Sequence, residues 1–500
     1  MHLGIDLGTG ALKIALFSAR FEAEHLVSVP YSIPAVAGHP EWAQADCDLW
    51  LDVLRRGFAR LSACVDLARV RSVGISTLFP AAIAFDERGE ALHPAILYSD
   101  TRSAAQIEWL REAGLLSRVA ATNGQVVPGT TTLTSLLWLR DERPAAFERA
   151  SAFGHANTFV AHWLTGNLRA DTGSMALSGL LDTAQGCWDV ELARAVGIPP
   201  NKLPDVGPAG ARVGEVTASA AAATGLPVGT PVAIGSGDAL CATLACGAVE
   251  PGDAVVAAGT TDCLCLCLGR FALSAGAWVA CHPLPGRWIG IAATSYTGGA
   301  VGWLAAILGK QIPEVFAEAA NAPAGARGVL FAPYLRGERS PILSPEAKGA
   351  FVGLTDRVSA ADLSRAVLEG AAFALRHNVE AMEQSYGARI EALLIVGGPA
   401  ASEVWNQVKA DVCGRPIRTV AFQERSVLGA ALLGAIAADM MPGYAGWSRS
   451  ADYRGFKRAF AHLWQTARTF EPDRRASEGY QEAYQKYLAL HPAMKAAGLY

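Results

Sequence analysis

The residues best suited to chemistry lie near the middle of the chain, around Asp238. A short apolar run, Val232 to Ile234, breaks into Gly235-Ser236-Gly237, and Asp238 follows the last glycine directly. Glycine lets a ligand approach the backbone closely, so an acid on such a turn at a strand end is typical of a catalytic or binding site. An aspartate also commonly caps the helix that follows it, and this stretch alone favours neither interpretation.

Two glycine–threonine turns have the same design although they stand about half the chain apart. Gly8-Thr9-Gly10 follows an apolar strand that carries Asp6 near its end, and Gly259-Thr260-Thr261 follows the apolar run Ala254 to Ala258. An alternating pattern after each turn predicts that the chain returns as a second strand. Such hairpins direct backbone N–H groups and a hydroxyl at an anion, so the pair predicts two similar domains that grip a polyphosphate from both sides.

These turns differ from the common phosphate-binding loops. The sequence contains no GxxxxGK[ST] loop, and the first turn lacks the GxGxxG spacing and is followed by a predicted strand instead of a helix. The elements between the turns alternate between strand and helix patterns, which predicts an α/β protein.

Polar residues also follow two other predicted strands. Asp100 and Arg102 come just after the strand that ends near Tyr98, and their position favours a binding role over a surface ion pair of little energetic value. The run Leu393 to Val396 ends at Gly397-Gly398-Pro399 before a predicted helix that Ser402 can cap, a pattern suited to a phosphate or a flat ligand.

Composition excludes several classes of function. The chain has 500 residues and a net charge of −4, so it lacks the basic footprint of a nucleic-acid-binding protein. Ten cysteines show no zinc spacing, and Cys263, Cys265 and Cys267 read as one face of a buried strand. Free thiols suit a reducing compartment, and neither a signal peptide nor a bilayer-spanning run is evident, so we expect a cytoplasmic protein with no membrane partner. A homodimer is left open.

The ordered set of motifs resembles the FGGY family of carbohydrate kinases over nearly the whole chain. The motifs include GIDLGTGALK at the start, EWAQAD, AILYSDTR, GSGDALCATLACGAVEPGDA, AGTT, PYLRGERSP and VGGPAASEVWNQVKADVCGRP. Chain length and the PAILYSDTR segment most resemble the xylulokinase branch.

This resemblance implies two actin-like (ribonuclease-H-like) ATPase domains around a central cleft. They would cover residues 1–245 on the sugar side and 246–440 on the nucleotide side, followed by a peripheral helical extension over 441–500. It implies ATP-dependent phosphorylation of a hydroxyl of a small sugar, a ketopentose or a related ketose or polyol, with Mg²⁺ as cofactor.

The resemblance also implies roles for individual residues. Asp238 matches the catalytic base and Asp6 matches the metal-associated acid, so both would lie near Mg²⁺. Phe79, Pro80, Asp100, Arg102 and Asp238 would meet the sugar. The positions expected to hold the nucleotide are Gly8, Thr9, Gly10, Lys13, Gly259, Thr260, Thr261, Gly298, Gly302, Gly398 and Ser402.

Two departures from the xylulokinase pattern affect the expected sugar contacts. Thr77-Leu78-Phe79-Pro80-Ala81 stands where xylulokinases typically read GQMHG, and Ala239 replaces a polar residue after the catalytic acid. The alternatives are a non-catalytic actin-like protein and a pseudokinase that only senses sugar. Retention of Asp6, Thr9, Asp238 and Thr260 argues against a pseudokinase, and the tail is too short for the peptide-binding domain of a chaperone-type ATPase.

Overall fold

A computed structural model describes the whole chain, Met1–Tyr500, and shows a mixed α/β protein with two large sheets. The strands of the first half are β1 His2–Leu7, β2 Ala11–Phe17, β3 Ala23–Pro30, β4 Gln44–Ala45, β5 Ser72–Thr77, β6 Ala81–Phe85, β7 Ala95–Leu97, β8 Ala152–Gly154, β9 Ala170–Asp171, β10 Leu181–Asp182, β11 Cys187–Trp188, β12 Val206–Gly207, β13 Arg212–Glu215, β14 Pro231–Ala233 and β15 Ser236–Gly237. Those of the second half are β16 Ala254–Ala258, β17 Asp262–Leu268, β18 Trp278–Cys281, β19 Trp288–Ala293, β20 Leu330–Ala332, β21 Ala350–Val352, β22 Leu393–Val396, β23 Ile417–Val420 and β24 Thr466–Phe470.

Eighteen α-helices cover and connect these sheets. In the first half they are α1 Cys47–Ser62, α2 Ala104–Glu112, α3 Leu116–Asn123, α4 Thr132–Glu142, α5 Pro144–Arg149, α6 Ala156–Thr165, α7 Thr172–Met175, α8 Val190–Ala195, α9 Ala218–Thr224 and α10 Asp238–Ala245. In the second half they are α11 Thr297–Leu308, α12 Ile312–Asn321, α13 Ala360–Tyr386, α14 Glu403–Cys413, α15 Arg425–Ala437, α16 Tyr444–Ser450, α17 Arg454–Ala459 and α18 Arg474–Ala496. None of them is both long enough and apolar enough to cross a bilayer.

The two large sheets repeat one strand order. The first runs β3-β2-β1-β5-β14-β13, and the second runs β19-β17-β16-β22-β23-β24, with β18 added beyond β19. In each sheet an antiparallel hairpin leads to two strands parallel to its first strand, and an antiparallel strand closes the edge. The predicted α/β class with two similar domains is therefore confirmed.

The hairpins form where alternating apolar residues predicted them. Leu3, Ile5, Leu12 and Ile14 are fully buried in a hydrophobic core of 36 residues around the first sheet. The second hairpin continues through β17, where Cys265 and Cys267 are buried and Cys263 is partly exposed. Burial of Cys265 and Cys267 fits their interpretation as core residues, whereas Cys263 departs from it.

Two helices join the sheets and bring the strand ends together. Helix α10 packs on α15, and α15 lies in turn against β1 and β5 of the first sheet. The two helices pack closely because α15 has a glycine at the contact. A Cβ atom on Gly429 would lie only 2.0 Å from the carbonyl oxygen of Cys241 in α10. The amino end of α10, which carries Asp238, is therefore fixed between the two hairpins.

The segment 441–500 corrects the predicted peripheral extension. Its strand β24 closes the edge of the second sheet by pairing with β23. Its helix α18 buries Tyr480, Tyr484 and Tyr487 against Phe373 of α13. These three tyrosines belong to a core cluster of the second half, whereas Phe460 of the same segment packs on Phe21 of the first half.

Candidate active site

A cavity of about 370 Å³ lies where the two halves meet. The first half contributes Thr9 of the first hairpin, and the second half contributes Gly259 and Thr261 of the second hairpin. Asp238 lines the same cavity, together with apolar residues that include Phe79 and Pro80. The structure thus brings residues from four separate parts of the sequence to one site.

Asp238 is the first residue of α10, and its side chain does not cap that helix. Gly237 occupies the N-cap position, and the Asp238 carboxylate accepts a hydrogen bond from the Ala239 N–H at 2.7 Å. Burial raises the pKa of Asp238 to about 6 because the charged form is poorly solvated there. A half-buried carboxylate with such a pKa can accept a proton near neutral pH.

Asp6 lies near the end of β1, close enough to Asp238 for the charge of Asp238 to act on it. Burial, and secondly the negative charge of Asp238, raise the pKa of Asp6 to about 7. The hydroxyl of Ser76 donates a hydrogen bond of 2.7 Å to Asp6, because parallel pairing of β1 and β5 sets these two residues side by side. The sequence did not single out Ser76, although parallel pairing of the two predicted strands would have found it.

The first hairpin presents its turn to the cleft. The Gly8 N–H donates to the Ala11 carbonyl at 3.1 Å, and Thr9 lines the cavity beyond it. Nothing lies within 4 Å of the position that a Cβ atom on Gly10 would occupy. Lys13 forms an ion pair with Glu424, so its charge is already partnered across the two halves of the chain.

The second hairpin is held more tightly than the first. The Gly259 N–H donates to the Thr261 carbonyl at 2.8 Å, and the Thr260 carbonyl accepts from the Gly299 N–H at 2.9 Å. A Cβ atom on Gly298 would lie 1.9 Å from the Gly259 carbonyl oxygen, so the amino end of α11 packs directly against this turn. A Cβ atom on Gly397, which was not among the expected nucleotide positions, would lie 2.1 Å from the Ala258 carbonyl oxygen, so this glycine packs equally closely against the end of β16.

The remaining predicted nucleotide positions extend from this hairpin along the second half. Gly302 is half-buried one turn into α11, and Gly398 is exposed in the turn after β22. The Ser402 hydroxyl caps α14, as predicted, by accepting from the Trp405 N–H at 3.3 Å. Whether these residues hold a nucleotide stays a prediction.

One wall of the cavity is apolar. Phe79 and Pro80 line it with Ala239, as the departures from the xylulokinase pattern led us to expect. Trp278 and Ile291 complete the wall from the second half. No local pattern singles out Trp278, because it lies on β18, far from every recognised motif.

Asp100 and Arg102 form a buried pair instead of a surface one. The Arg102 guanidinium lies 2.8 Å from the Asp100 carboxylate, and both side chains are at most 1% exposed. Arg102 also stacks on Trp42 at 3.9 Å and donates to Gln44 at 2.8 Å, so the pair joins two motifs of the first half.

Neither residue of that pair is among those that line the cavity. Tyr98 and Thr130 line it on this side, and the Thr130 hydroxyl donates to the Tyr98 carbonyl at 3.1 Å. Direct sugar contacts from Asp100 and Arg102 stay a prediction, and this conformation does not support them.

Comparison with known proteins agrees with this geometry. Residues 1–245 match the model of the N-terminal domain of the FGGY family of carbohydrate kinases, and residues 254–438 match the model of its C-terminal domain. The chain belongs to the FGGY family of carbohydrate kinases. It is therefore a phosphotransferase that acts on an alcohol group, as the sequence predicted.

Individual relatives within the FGGY family carry different names. A xylulose kinase of Escherichia coli K12 is 30% identical over 88% of this chain and 90% of its own length. A glycerol kinase of Geobacter sp. M21 is also 30% identical, over 98% of both chains. The crystal structure of a xyloylose kinase from Brucella ovis superposes with a TM-score of 0.89 and 30% identity over 99% of both chains. These likenesses support a sugar kinase and leave its exact substrate undecided.

Proposed function

We propose that this FGGY kinase transfers the γ-phosphoryl group of ATP to a hydroxyl of a small ketose or polyol, with Asp238 as general base. The observation that carries the proposal is the single cavity that Asp238 shares with Thr9, Gly259 and Thr261. An acceptor hydroxyl bound beside Asp238 would face the terminal phosphate of a nucleotide held between the two turns.

Phosphoryl transfer of this kind needs no covalent bond between the protein and the substrate. Phosphoryl transfer depends mainly on positioning and on neutralising charge. Asp238, with a pKa of about 6, would take the proton of the acceptor hydroxyl as its oxygen attacks the γ-phosphorus. Closure of the two domains would exclude water and so favour the sugar over hydrolysis.

The two acids at the cleft suit a magnesium ion. Mg²⁺ usually keeps several waters and binds through one or two carboxylates plus substrate phosphates. Asp6 and Asp238 offer that donor set, and the charge of Asp238 helps to raise the pKa of Asp6, as expected for two acids that lie close together. The ion would neutralise phosphate charge when bound, while Asp6 and Asp238 would hold it.

The nucleotide would lie mainly on the second half. The exposed turn at Gly398 and the open position beside Gly302 leave room for a flat ligand, while Gly298 lets α11 pack directly against the hairpin. The free N–H groups at the start of α11 suit a phosphate, and Ser402 lies one turn beyond Gly398. ATP and the sugar would therefore approach Asp238 from opposite sides.

The acceptor would be small, such as a ketopentose, a related ketose or a polyol. Support comes from relatives named xylulose kinase and glycerol kinase, which share about 30% of their residues with this chain. A cavity of about 370 Å³ suits an open-chain molecule of that size.

The deciding experiment couples ADP release to a panel of ketoses, aldoses and polyols, for the parent protein and for Asp238→Asn. The substitution keeps the shape and removes the proton acceptor, so we expect kcat to fall by about 10²–10⁴-fold with little change in sugar affinity. Asp356→Asn, which removes an exposed carboxylate outside the cavity, serves as the matched control. A near-parental kcat for Asp238→Asn would reject the assignment.

A further inference from the structure

Arg339 stands out among the residues of the cavity. It belongs to the PYLRGERSP motif, in the loop between β20 and β21, to which the sequence assigned no role. Asp238 and Arg339 are the only charged residues that line the cavity. The other cation near the phosphate turns, Lys13, is already paired with Glu424. Arg339 is thus the one cation of the protein available to a ligand there.

The Arg339 guanidinium keeps most of its hydrogen-bonding capacity free. An arginine side chain has five N–H donors in a fixed fork. One of them, on Nη2, binds the Thr294 carbonyl at 2.6 Å. The other two guanidinium nitrogens, Nε and Nη1, have no partner in the protein and are not buried, so they remain accessible in the cavity. This arrangement fits a group that carries several acceptor oxygens.

Hydrogen bonds hold the loop that carries Arg339 against the part of the second half that packs on the second hairpin. The buried Glu338 carboxylate accepts the N–H groups of Ser295 and Arg339 at 2.7 and 2.8 Å. The Ser340 N–H binds the Ala293 carbonyl at 3.0 Å, at the end of β19. Because β19 leads into α11, whose first turn packs on Gly259, Arg339 keeps a fixed position relative to the phosphate turn.

We infer that Arg339 binds the phosphoryl group during its transfer and stabilises the charge that spreads over its oxygens. The inference rests on the proposed function. A neutral hydroxyl does not need a guanidinium, whereas a transferring phosphoryl group gains most from a pre-positioned cation.

The step balances without any proton passing through Arg339. The bond from the acceptor oxygen to the γ-phosphorus forms while the bond from that phosphorus to the β–γ bridging oxygen breaks. ADP leaves with the electron pair, and the hydroxyl proton goes to Asp238. Arg339 takes no part in the proton transfer and acts only through its positive charge and its N–H donors.

The test compares Arg339→Met and Arg339→Lys with Arg336→Met. Arg336 is an exposed arginine of the same loop, stacked on Tyr296 at 4.5 Å and outside the cavity. We expect Arg339→Met to lower kcat by about 10²–10³-fold with the sugar KM within a few-fold of the parent value. Arg339→Lys should recover part of the loss, and Arg336→Met should stay within about twofold.

Two further readouts separate a catalytic contact from a structural one. Added guanidinium ion should partly restore Arg339→Ala, and thermal unfolding should show that all variants remain folded. Calorimetry with ADP and with a non-hydrolysable ATP analogue, in Mg²⁺, should show that Arg339→Met loses the preference for the γ-phosphate. A raised sugar KM with unchanged kcat, or an unchanged preference for the analogue, would overturn the inference.

The failure of the proposed function would look different. It would appear as an absence of sugar-dependent ADP release in the parent protein itself. The calorimetric comparison of the ATP analogue with ADP does not require turnover, so it still decides whether Arg339 contacts the γ-phosphate.

Discussion

The two glycine–threonine hairpins share a fold and differ in what surrounds their acids. Asp6 stands before the first turn, near Asp238, with the Ser76 hydroxyl as its hydrogen-bond partner. Asp262 stands after the second turn and forms an ion pair with Lys409 of α14 at 3.1 Å. Both members of that second pair are at most 1% exposed, and no such cation compensates Asp6.

This difference fits the roles proposed for the two acids: Asp6 would hold a metal ion, whereas Asp262 supports the fold. Asp262 and Lys409 connect the second phosphate turn to the helix behind it, where Lys409 also lies 4.3 Å from the ring centre of Trp405. A buried carboxylate that is paired in this way is less available to a metal ion. Asp6 of the first hairpin forms no ion pair, which suits the proposed metal site. Burial of its carboxylate without a paired cation lowers the stability of the fold.

Breaking the second hairpin's ion pair should give the largest effect. Lys409→Met leaves the buried Asp262 carboxylate unpaired, so we expect a loss of about 3–5 kcal/mol in the free energy of unfolding. Urea denaturation of the parent and the variant measures it.

The double variant Lys409→Met/Asp262→Leu tests the cause of that loss. Two apolar residues of similar volume can replace a buried pair at little cost, so most of the stability should return. If the single variant were as stable as the parent protein, the pair would not hold the hairpin.

The uncompensated acid of the first hairpin should appear as a pH dependence of stability. The folded-state pKa of Asp6 is about 7, above its unfolded value of 3.8. Its contribution is therefore fully present below about pH 4 and is lost as pH rises through 7, by roughly 4 kcal/mol.

Denaturation between pH 5 and 8, with a chelator and without nucleotide, measures this trend. Asp6→Asn should flatten the curve relative to the parent protein over that interval, because the amide does not titrate. Parallel curves for the two proteins would show that Asp6 is already ionised at low pH in the folded state.

The comparison also predicts that both turns contact the phosphates. The Cβ positions of Gly259 and Gly10 face open space, so Gly259→Val and Gly10→Val should fold normally and obstruct the cleft. We expect ATP affinity to fall about a hundredfold in each, or about 2.7 kcal/mol, with sugar binding largely intact.

Calorimetry with ATP and with sugar measures both effects. Gly479→Val, at an equally open position on α18, is the matched control. Loss of ATP affinity in only one of the two hairpin variants would restrict phosphate binding to that turn. A folded Gly259→Val variant with parental ATP affinity would contradict the hypothesis that both turns bind the phosphates.

The fold could be predicted because its hairpin pattern occurs twice in the sequence. The site could not, because its contacts join residues that are far apart in the chain. Hairpins and helix caps follow from local patterns, as at Ser402, which caps α14 as predicted. The burial of Asp100 and Arg102 could not be predicted, because Trp42, which stacks on Arg102, is far from both in sequence. The anchoring of Lys409 to Asp262 joins residues 147 positions apart in sequence, so spacing could not reveal it.

Substrate choice should show the smallest effect and depends on the apolar wall of the first half. Phe79, Pro80 and Ala239 line the cavity beside Asp238 where a xylulokinase offers hydrogen-bonding groups. A sugar hydroxyl buried there without a partner costs about 1–3 kcal/mol, or roughly tenfold to a hundredfold in kcat/KM per lost contact. We therefore expect D-xylulose to be a poor substrate.

Steady-state kinetics over pentuloses, hexuloses, polyols and their deoxy forms tests this expectation. A ketose or polyol that places a deoxy carbon, or a differently configured carbon, against Phe79 should have the highest kcat/KM, because its apolar surface leaves no hydroxyl unsatisfied. Ala239→Asn adds a hydrogen-bonding group to the wall and should narrow the gap to D-xylulose. If D-xylulose gave the highest kcat/KM in the parent protein, Tyr98 and Thr130 would be the residues left on this side to supply its contacts.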